Sequence, residues 1–381
     1  MNPIRSLPAR SSWRRAVAAR AGALAGALAA APALAQTPQS VQLYGLLDSG
    51  IEYLSRVAGQ GAQTRLPVTT GGQAPSRVGL RGTEDLGNGL RVVFVMEAGM
   101  AVANGSSMQG GRLFGRQAYL GLAGAWGQLT LGRQYTMGHY ALMGSDLMGP
   151  AVFGLASLDA YIPNARLNDA IAYRLTAGPW TAGAVYSRGR DGQAPSFCGS
   201  ADSANGCAAY SGMLRYDNTR WSLTVAHDRL KGIGGSGVFG QPRGLSLDDH
   251  SQDDRSYLAG HVQLGDLRLG AGAVLRRLKA ASQTYRGDLY FLAASYPVAR
   301  ATVVDATYSY LDTNRRGEHA QLLVLRVTQT LSPRTAVYAL TGQVRNGAAA
   351  DYSVSNGTVV PASPGLGKSQ TGFMVGMRHS F

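Results

Sequence analysis

The chain is short of charge and of long hydrophobic runs. Charged residues make up 15% of its 381 residues, against the ~25% that is usual for globular proteins. The 45% hydrophobic content still excludes an intrinsically disordered chain, because disorder needs a polar, highly charged composition. No segment beyond residue 35 has the roughly 18 consecutive apolar residues of a membrane-spanning helix. The sequence therefore excludes a helical membrane protein.

Catalytic and metal-binding motifs are also lacking. None of the six histidines falls in an HExxH zinc motif, and there is no GxSxG nucleophile motif, P-loop or dinucleotide fingerprint. A barrel lipase would need a Ser/His pair, and the candidate for that pair is His139 with Ser145. We therefore predict that the chain is not an enzyme and that it holds no metal and no cofactor.

Residues 1–35 have the composition of a secretory signal peptide. Five arginines and no acid lie in residues 1–20, an Ala-, Gly- and Leu-rich stretch follows, and Ala33-Leu34-Ala35 is a small-x-small cleavage site. An uncleaved anchor is the alternative. Cleavage leaves residues 36–381 as one domain, and loss of the five arginines lowers the net charge from +14 to +9. We expect no nucleic-acid partner, because no Lys/Arg cluster of the required kind is present.

Cysteine is almost absent. The two cysteines, Cys198 and Cys207, lie in one polar, glycine-containing segment that we interpret as a loop. Two cysteines are too few for a structural zinc site. In an exported chain such a pair is best explained by a disulfide that closes the loop, with two free thiols as the alternative.

The mature chain alternates apolar and polar residues with a period of two, which predicts β-strands. In one segment Trp221, Leu223 and Val225 share one face, while Ser222 and Thr224 share the other. About sixteen segments show this pattern, and most have the ~9–11 residues that a tilted strand needs to cross a bilayer. They lie near 41–54, 76–84, 89–98, 113–122, 127–134, 168–176, 180–187, 211–217, 220–229, 253–264, 267–279, 284–296, 301–312, 319–330, 335–346 and 370–381.

The connections between these segments alternate between short and long. Short connections with turn-forming residues lie near 85–89, 123–126, 177–179, 217–219, 265–266, 297–300 and 331–334. The longer set comprises 55–75, 99–112, 135–167, 188–210, 230–252, roughly 280–283, 313–318 and 347–369. Short turns at one end and longer loops at the other are typical of an outer-membrane barrel. We therefore predict an all-β fold, a transmembrane antiparallel β-barrel of about 16 strands.

The two faces of the strands fit this fold. The apolar face would contact lipid and the polar face would line an aqueous interior, and closure would leave no unpaired strand edge in hydrocarbon. Aromatic residues near strand ends are candidates for the interfacial girdles: Tyr44, Tyr53, Trp126, Trp180, Tyr186, Tyr216, Trp221, Tyr296, Tyr308 and Tyr310. A large soluble β-protein is the alternative.

Several stretches resemble the general porins of Gram-negative bacteria, especially those of β-proteobacteria. They are residues 41–53, the Ser-Arg-Val-Gly-Leu-Arg-Gly stretch that begins at Ser76, the Phe-Gly-Arg-Gln around Arg116, residues 129–135 and the ending in Phe381. The resemblance implies a homotrimer of sixteen-stranded barrels in the bacterial outer membrane. It also implies passive diffusion of small hydrophilic solutes and ions, contacts with outer-membrane lipid and lipopolysaccharide, and Phe381 as a signal for the barrel-assembly machinery.

The resemblance also implies a pore constriction. The third long loop, 135–167, would fold into the pore, with Asp146 and Asp159 as its acidic residues. Arginines on the barrel wall would face it: Arg77, Arg81, Arg116, Arg174 and, with less support, Arg133. Arg133 has the parity of Leu129 and Leu131, so we expect it to lie past the end of its strand.

These charges suggest a mechanism of selectivity. Arginines on the wall opposite acids on the loop would create a transverse field, and low-dielectric pore walls strengthen the effect of such charges on passing ions. The net charge of +9 favours a preference for anions. Two alternatives remain, a substrate-specific channel and a barrel adhesin or receptor that acts through its external loops.

Overall fold

The computed structural model describes residues 40–188, 208–232, 242–248, 250–356 and 362–381. The predicted signal peptide, Cys198 and Cys207 lie outside these residues. Seventeen antiparallel strands form one sheet. They are β1 (Ser40–Val57), β2 (Gly61–Arg65), β3 (Arg77–Gly87), β4 (Leu90–Gly99), β5 (Gln117–Gly124), β6 (Gly127–Tyr135), β7 (Arg166–Ala177), β8 (Trp180–Ser187), β9 (Ala209–Asp217), β10 (Trp221–Lys231), β11 (Gln252–Leu264), β12 (Leu267–Lys279), β13 (Thr284–Ala299), β14 (Thr302–Thr313), β15 (Ala320–Ser332), β16 (Thr335–Asn346) and β17 (Gln370–Ser380).

The sheet closes on itself through β1. This strand pairs with β17 from Leu46 to Leu54 and with β3 from Ser40 to Leu46. Every strand from β3 to β17 pairs with the next in sequence, so the wall is a closed barrel of sixteen strands. The predicted fold and strand number are confirmed.

Strand β2 is an element that the sequence analysis assigned to the loop 55–75. Among the described strands, β2 pairs only with the C-terminal part of β1, from Glu52 to Val57, and the two form a hairpin. Gly59 and Gly61 provide the tight turn, with φ angles of +76° and +71°. The hairpin extends past the region where alternation marks a strand, which is why periodicity did not reveal it.

The two faces of the wall have opposite character, as predicted. On β10, Trp221 and Leu223 are exposed on the outside, whereas Ser222, Thr224 and Asp228 are buried on the inside. The same alternation recurs around the barrel, with exposed leucines and valines on the outer face. Tyr44 is an exception to the predicted girdle, because its parity directs it inward.

The helical segments described all lie between β6 and β7. They are α1 (Met137–Leu142) and two 3-10 turns, Leu155–Ser157 and Ile162–Asn164. Among the described residues, no helix is both long enough and apolar enough to cross a membrane. The connection that holds these segments, residues 136–165, is called the inner loop below.

Candidate functional site

The inner loop begins against the inner face of β9–β11. The carboxylate of Asp228 on β10 accepts hydrogen bonds from Thr136 Oγ1 at 2.8 Å, from the Gly138 N–H at 3.1 Å and from Tyr161 OH at 3.1 Å. Tyr257 OH on β11 donates to the same carboxylate at 3.3 Å. One buried acid on the wall therefore fixes both the start and the end of the loop.

The middle of the loop lies directly on β12 and β15. The carbonyl oxygen of Ser145 stands only 2.0 Å from the position that a Cβ atom on Gly270 would occupy. Any side chain at this wall position would displace the loop. Farther on, Arg326 on β15 donates to the carbonyl oxygens of Met148 at 2.9 Å and Leu147 at 3.1 Å.

The tip of the loop reaches β16, β17 and the loops near them. Phe153 is fully buried and packs against Gly342 and Gly372, two wall glycines without side chains to obstruct its ring. The Val152 N–H donates to the Gly72 carbonyl, and the Val152 carbonyl accepts from the Asn356 N–H at 3.0 Å. The inner loop thus contacts inward-facing groups from β9 to β17.

A cluster of arginines lies on the part of the wall that precedes the loop. Glu97 on β4 is its centre: Arg116 Nε lies 2.6 Å from the carboxylate, Arg77 Nε lies 3.6 Å from it, and Tyr44 OH donates to it at 2.9 Å. Arg81 stacks over the Tyr44 ring with its guanidinium 5.1 Å from the centroid. The structure therefore brings Arg77, Arg81 and Arg116 together.

Arg166 is a fourth member of the cluster that the sequence analysis missed. It is buried, and both Arg166 and Arg116 donate to the phenol oxygen of Tyr135, at 2.9 Å and 2.8 Å. Arg166 begins β7 and has the same parity as Arg174, but the segment predicted from periodicity started two residues later, at 168. Extending the alternation backwards would have found it.

The inner loop adds a ring to this cluster. His139 stacks on Tyr135 with 3.9 Å between ring centroids. Burial, together with the positive charges of Arg166 and Arg116, lowers the pKa of His139 to about 3. His139 is therefore neutral at physiological pH and adds no further charge.

The other two predicted arginines lie apart from the Glu97 cluster. Arg174 on β7 places its guanidinium 5.0 Å from the ring centroid of Tyr140 in the inner loop. Arg133 lies within β6 and not past its end as expected. It sits at a register shift between Gly132 and Gln134, where it binds the Gly115 carbonyl at 2.7 Å and the side chain of Asn168.

The two acids predicted on the loop are held by partners of their own. Asp159 forms a buried ion pair with Arg255 of β11, with Arg255 Nε 3.2 Å from its carboxylate. Asp146 accepts from the backbone N–H groups of Met148 and Gly149, both at 3.2 Å, and burial raises its pKa to about 7. Both acids therefore carry less free negative charge than their sequence positions suggest.

The comparisons with known proteins decide the family. A family profile described as Gram-negative porin matches residues 19–349. This chain belongs to the Gram-negative porin family. An outer membrane porin protein of Bordetella pertussis is 31% identical to the porin over 369 residues, which cover 85% of this chain and 94% of the relative. Outer membrane porin protein 32 of Delftia acidovorans is 29% identical over 372 residues, covering 94% and 99%.

Solved structures agree with this assignment. The anion-selective porin from Comamonas acidovorans superposes on the porin with a TM-score of 0.75 at 26% identity, covering 90% of this chain and 100% of that one. A trimer form of OmpT from Vibrio cholerae shares the fold, with a TM-score of 0.63 at 18% identity over 90% of this chain and 99% of that one. The porin is a β-barrel channel of the bacterial outer membrane, and its family consists of channels rather than enzymes.

Proposed function

We propose that the porin is a general diffusion channel that prefers anions, with its narrowest zone between the inner loop and the arginine cluster on β3–β7. The observation that carries this proposal is the charge balance of the cluster. Arg77 and Arg116 pair with the Glu97 carboxylate, whereas Arg81 lies over Tyr44 and Arg166 binds Tyr135. Among the described residues, these four guanidinium groups therefore have one carboxylate, Glu97, in contact with them. The positive charges exceed the negative charge in contact with them.

The inner loop does little to offset this excess. Asp159 is neutralised by Arg255, and Asp146 has a raised pKa of about 7, so it is partly protonated at neutral pH. Uncompensated positive charge in a narrow pore with low-dielectric walls attracts anions and repels cations. The anion-selective Comamonas porin, with the same fold and 26% identity, supports the same preference here.

Several further properties follow from the family resemblance and, for the signal peptide and the disulfide, from the sequence itself. We propose a homotrimer that contacts outer-membrane lipid and lipopolysaccharide, export through cleavage of residues 1–35, and a Cys198–Cys207 disulfide in an external loop. Recognition of Phe381 by the barrel-assembly machinery belongs to the same group. Cross-linking of the purified porin, and reaction of the native and reduced protein with a thiol reagent, test the trimer and the disulfide separately.

The channel itself is tested by single-channel recording in planar bilayers. We expect large, ohmic conductance steps arriving in threes, and a reversal potential in a salt gradient that shows anion preference. Cation preference would overturn the proposed selectivity. An absence of conductance from correctly folded barrels would favour an adhesin or receptor, and currents that saturate with one solute would favour a substrate-specific channel.

A further inference from the structure

Three wall arginines outside the Glu97 cluster direct their guanidinium groups at backbone carbonyls of the inner loop. Arg215 on β9 donates to the Tyr140 carbonyl and, at 3.3 Å, to the Met143 carbonyl. Arg268 on β12 donates to the Gly144 carbonyl at 2.9 Å. Arg326 on β15 continues the row with its bonds to Leu147 and Met148.

The carbonyls that Arg215 and Arg268 bind lie at the end of helix α1 and just after it. Helix α1 ends at Leu142, its C-cap is Met143, and Gly144 follows with φ +88°. The last carbonyl groups of a helix have no N–H donor within the helix, and arginine side chains commonly donate to them. Arg215 and Arg268 therefore hold the end of α1 against the wall.

The three arginines differ in their charge balance. Arg326 is neutralised by Asp305, 2.8 Å away. Arg215 and Arg268 form no ion pair with any carboxylate in the described part of the chain, and their bonds to neutral carbonyls leave the full positive charge in place. Both side chains are partly exposed to the lumen. Asp217 acts on Arg215 only at longer range.

Arg215 and Arg268 also lie at a different depth from the Glu97 cluster. Arg77 begins β3, ten residues before the turn end of that strand at Gly87. Arg215 is two residues from the turn end of β9, and Arg268 is the second residue of β12. At ~3.3 Å per residue and a tilt of about 40°, Arg215 and Arg268 lie roughly 20 Å nearer to the short-turn end of the pore than Arg77. Arg81, six residues from Gly87, lies at a depth between them.

We propose that Arg215 and Arg268 form a second zone that attracts small anions at the short-turn, periplasmic mouth, in series with the Glu97 cluster. This inference rests on the proposed anion channel. The same two side chains position the inner loop, so the zone keeps a fixed geometry beside the loop. Small inorganic anions and anionic solutes are the ligands that this chemistry favours.

The test compares the reversal potentials of two double variants and one single variant with that of the unmodified porin in a KCl gradient. The variant Arg215→Gln/Arg268→Gln removes both charges but keeps side-chain N–H donors. The variant Arg215→Lys/Arg268→Lys keeps the charges. The variant Arg300→Gln, in an exposed periplasmic turn, removes a charge on the same side of the membrane but off the lumen.

We expect the double Gln variant to lower the anion/cation permeability ratio about threefold at ~0.1 M salt, where a charge ~10 Å from an ion is only partly screened. At ~1 M salt the effect should nearly vanish, because the Debye length falls to about 3 Å. The double Lys variant and Arg300→Gln should retain the ratio of the unmodified porin.

The outcomes separate this inference from the proposed function. If the unmodified porin prefers anions and the double Gln variant keeps the same ratio, the second zone is refuted while the anion channel stands. If both the Gln and Lys variants change open-channel noise alone, the arginines only anchor the loop, which also refutes it. If the unmodified porin prefers cations, the proposed function fails, and a Gln variant without a further shift overturns the zone as well.

Discussion

Asp228 shows how much of the inner loop depends on one side chain. Its two carboxylate oxygens accept bonds from Thr136, Gly138 and Tyr161 of the loop and from Ser211 and Tyr257 of the wall. All of these donors are neutral, and the carboxylate is buried without an ion-pair partner among the described residues. A charged acceptor with several neutral donors gives strong hydrogen bonds, so this node sets the position of the loop start.

We predict that Asp228→Asn loosens the inner loop. The amide presents an N–H₂ group to donors, which leaves at least one buried hydroxyl or N–H without an acceptor and costs about 1–3 kcal/mol. Single-channel recording should show more open-channel noise and spontaneous closures, and the folded form should melt at lower temperature on gels. Asp266→Asn, in an exposed periplasmic turn, is the control. Quiet channels from Asp228→Asn would contradict a positioning role.

The sequence predicted part of the residue-level picture. The resemblance to Gram-negative porins indicated Arg77, Arg81 and Arg116 through the motifs that contain them. The ion pair of Asp159 with Arg255 left no such trace, since 96 residues separate the partners and nothing in either local sequence records the other. Nothing in the sequence therefore indicated that the Asp159 carboxylate forms an ion pair in the fold.

Glycines on the wall create the space in which the inner loop lies. At Gly270 the loop backbone fills the volume of a missing side chain, and at Gly372 the ring of Phe153 does so. At Gly342 the side chains of Val354 and Phe153 share that volume. A strand with larger inward residues at these points could not accept the loop at this distance. The glycine content of the chain, 51 residues, thus has a packing role in the wall as well as in turns.

We predict that Gly270→Ala shifts the inner loop and changes the pore. A Cβ atom 2.0 Å from the Ser145 oxygen is impossible, so the loop must move away from β12 toward the open lumen. Single-channel conductance should fall measurably while the barrel still folds. Gly212→Ala on β9 is the matched control, because the only atom near its Cβ position is 3.9 Å away. Equal conductance in the two variants would argue against this contact.

The strand ends were predicted to within four residues at both the short turns and the long loops. The segment 220–229 corresponds to Trp221–Lys231, whereas 113–122 corresponds to Gln117–Gly124 and β2 was not expected at all. Alternation reflects one lipid face and one aqueous face, so it weakens where strands extend past the bilayer. Beyond the bilayer both faces of a strand contact water, so nothing selects for alternating apolar and polar residues.

Closure of the barrel brings the last residue of the chain onto its first strand. The backbone of Phe381 exchanges two hydrogen bonds with Gly45, at 2.9 Å and 3.1 Å, and its ring covers Gly45. Antiparallel closure and an even strand number followed from the sequence, because an open edge cannot exist in hydrocarbon. The contact of the Phe381 ring with Gly45 did not, since the two residues lie far apart in the sequence.

We predict that Phe381→Ala has a small effect on the stability of the folded barrel and a larger effect on its assembly in cells. The ring is 44% exposed, so its loss should lower the free energy of unfolding by about 1–2 kcal/mol in detergent. Tyr308→Ala, equally exposed on β14, should cost a similar amount. In cells, the yield of folded porin should fall much further for Phe381→Ala. Equal yields for the two variants would rule out a specific assembly signal.

The inner loop also makes the water column off-centre. Inward side chains of β10–β17 are mostly buried, whereas those of β3–β6 are more often accessible, as at Arg81, Val95 and Gln128. Most of this first arc thus packs like the interior of a soluble protein, with Arg268 near the short-turn end as an exception, and the second arc is mainly surface that solutes contact. Substitutions that change the polarity of an inward side chain should therefore be tolerated on β3–β6 and should destabilise the fold on β10–β17. Changes in which solutes pass the pore should therefore evolve mainly through the inward residues of a few neighbouring strands of the barrel.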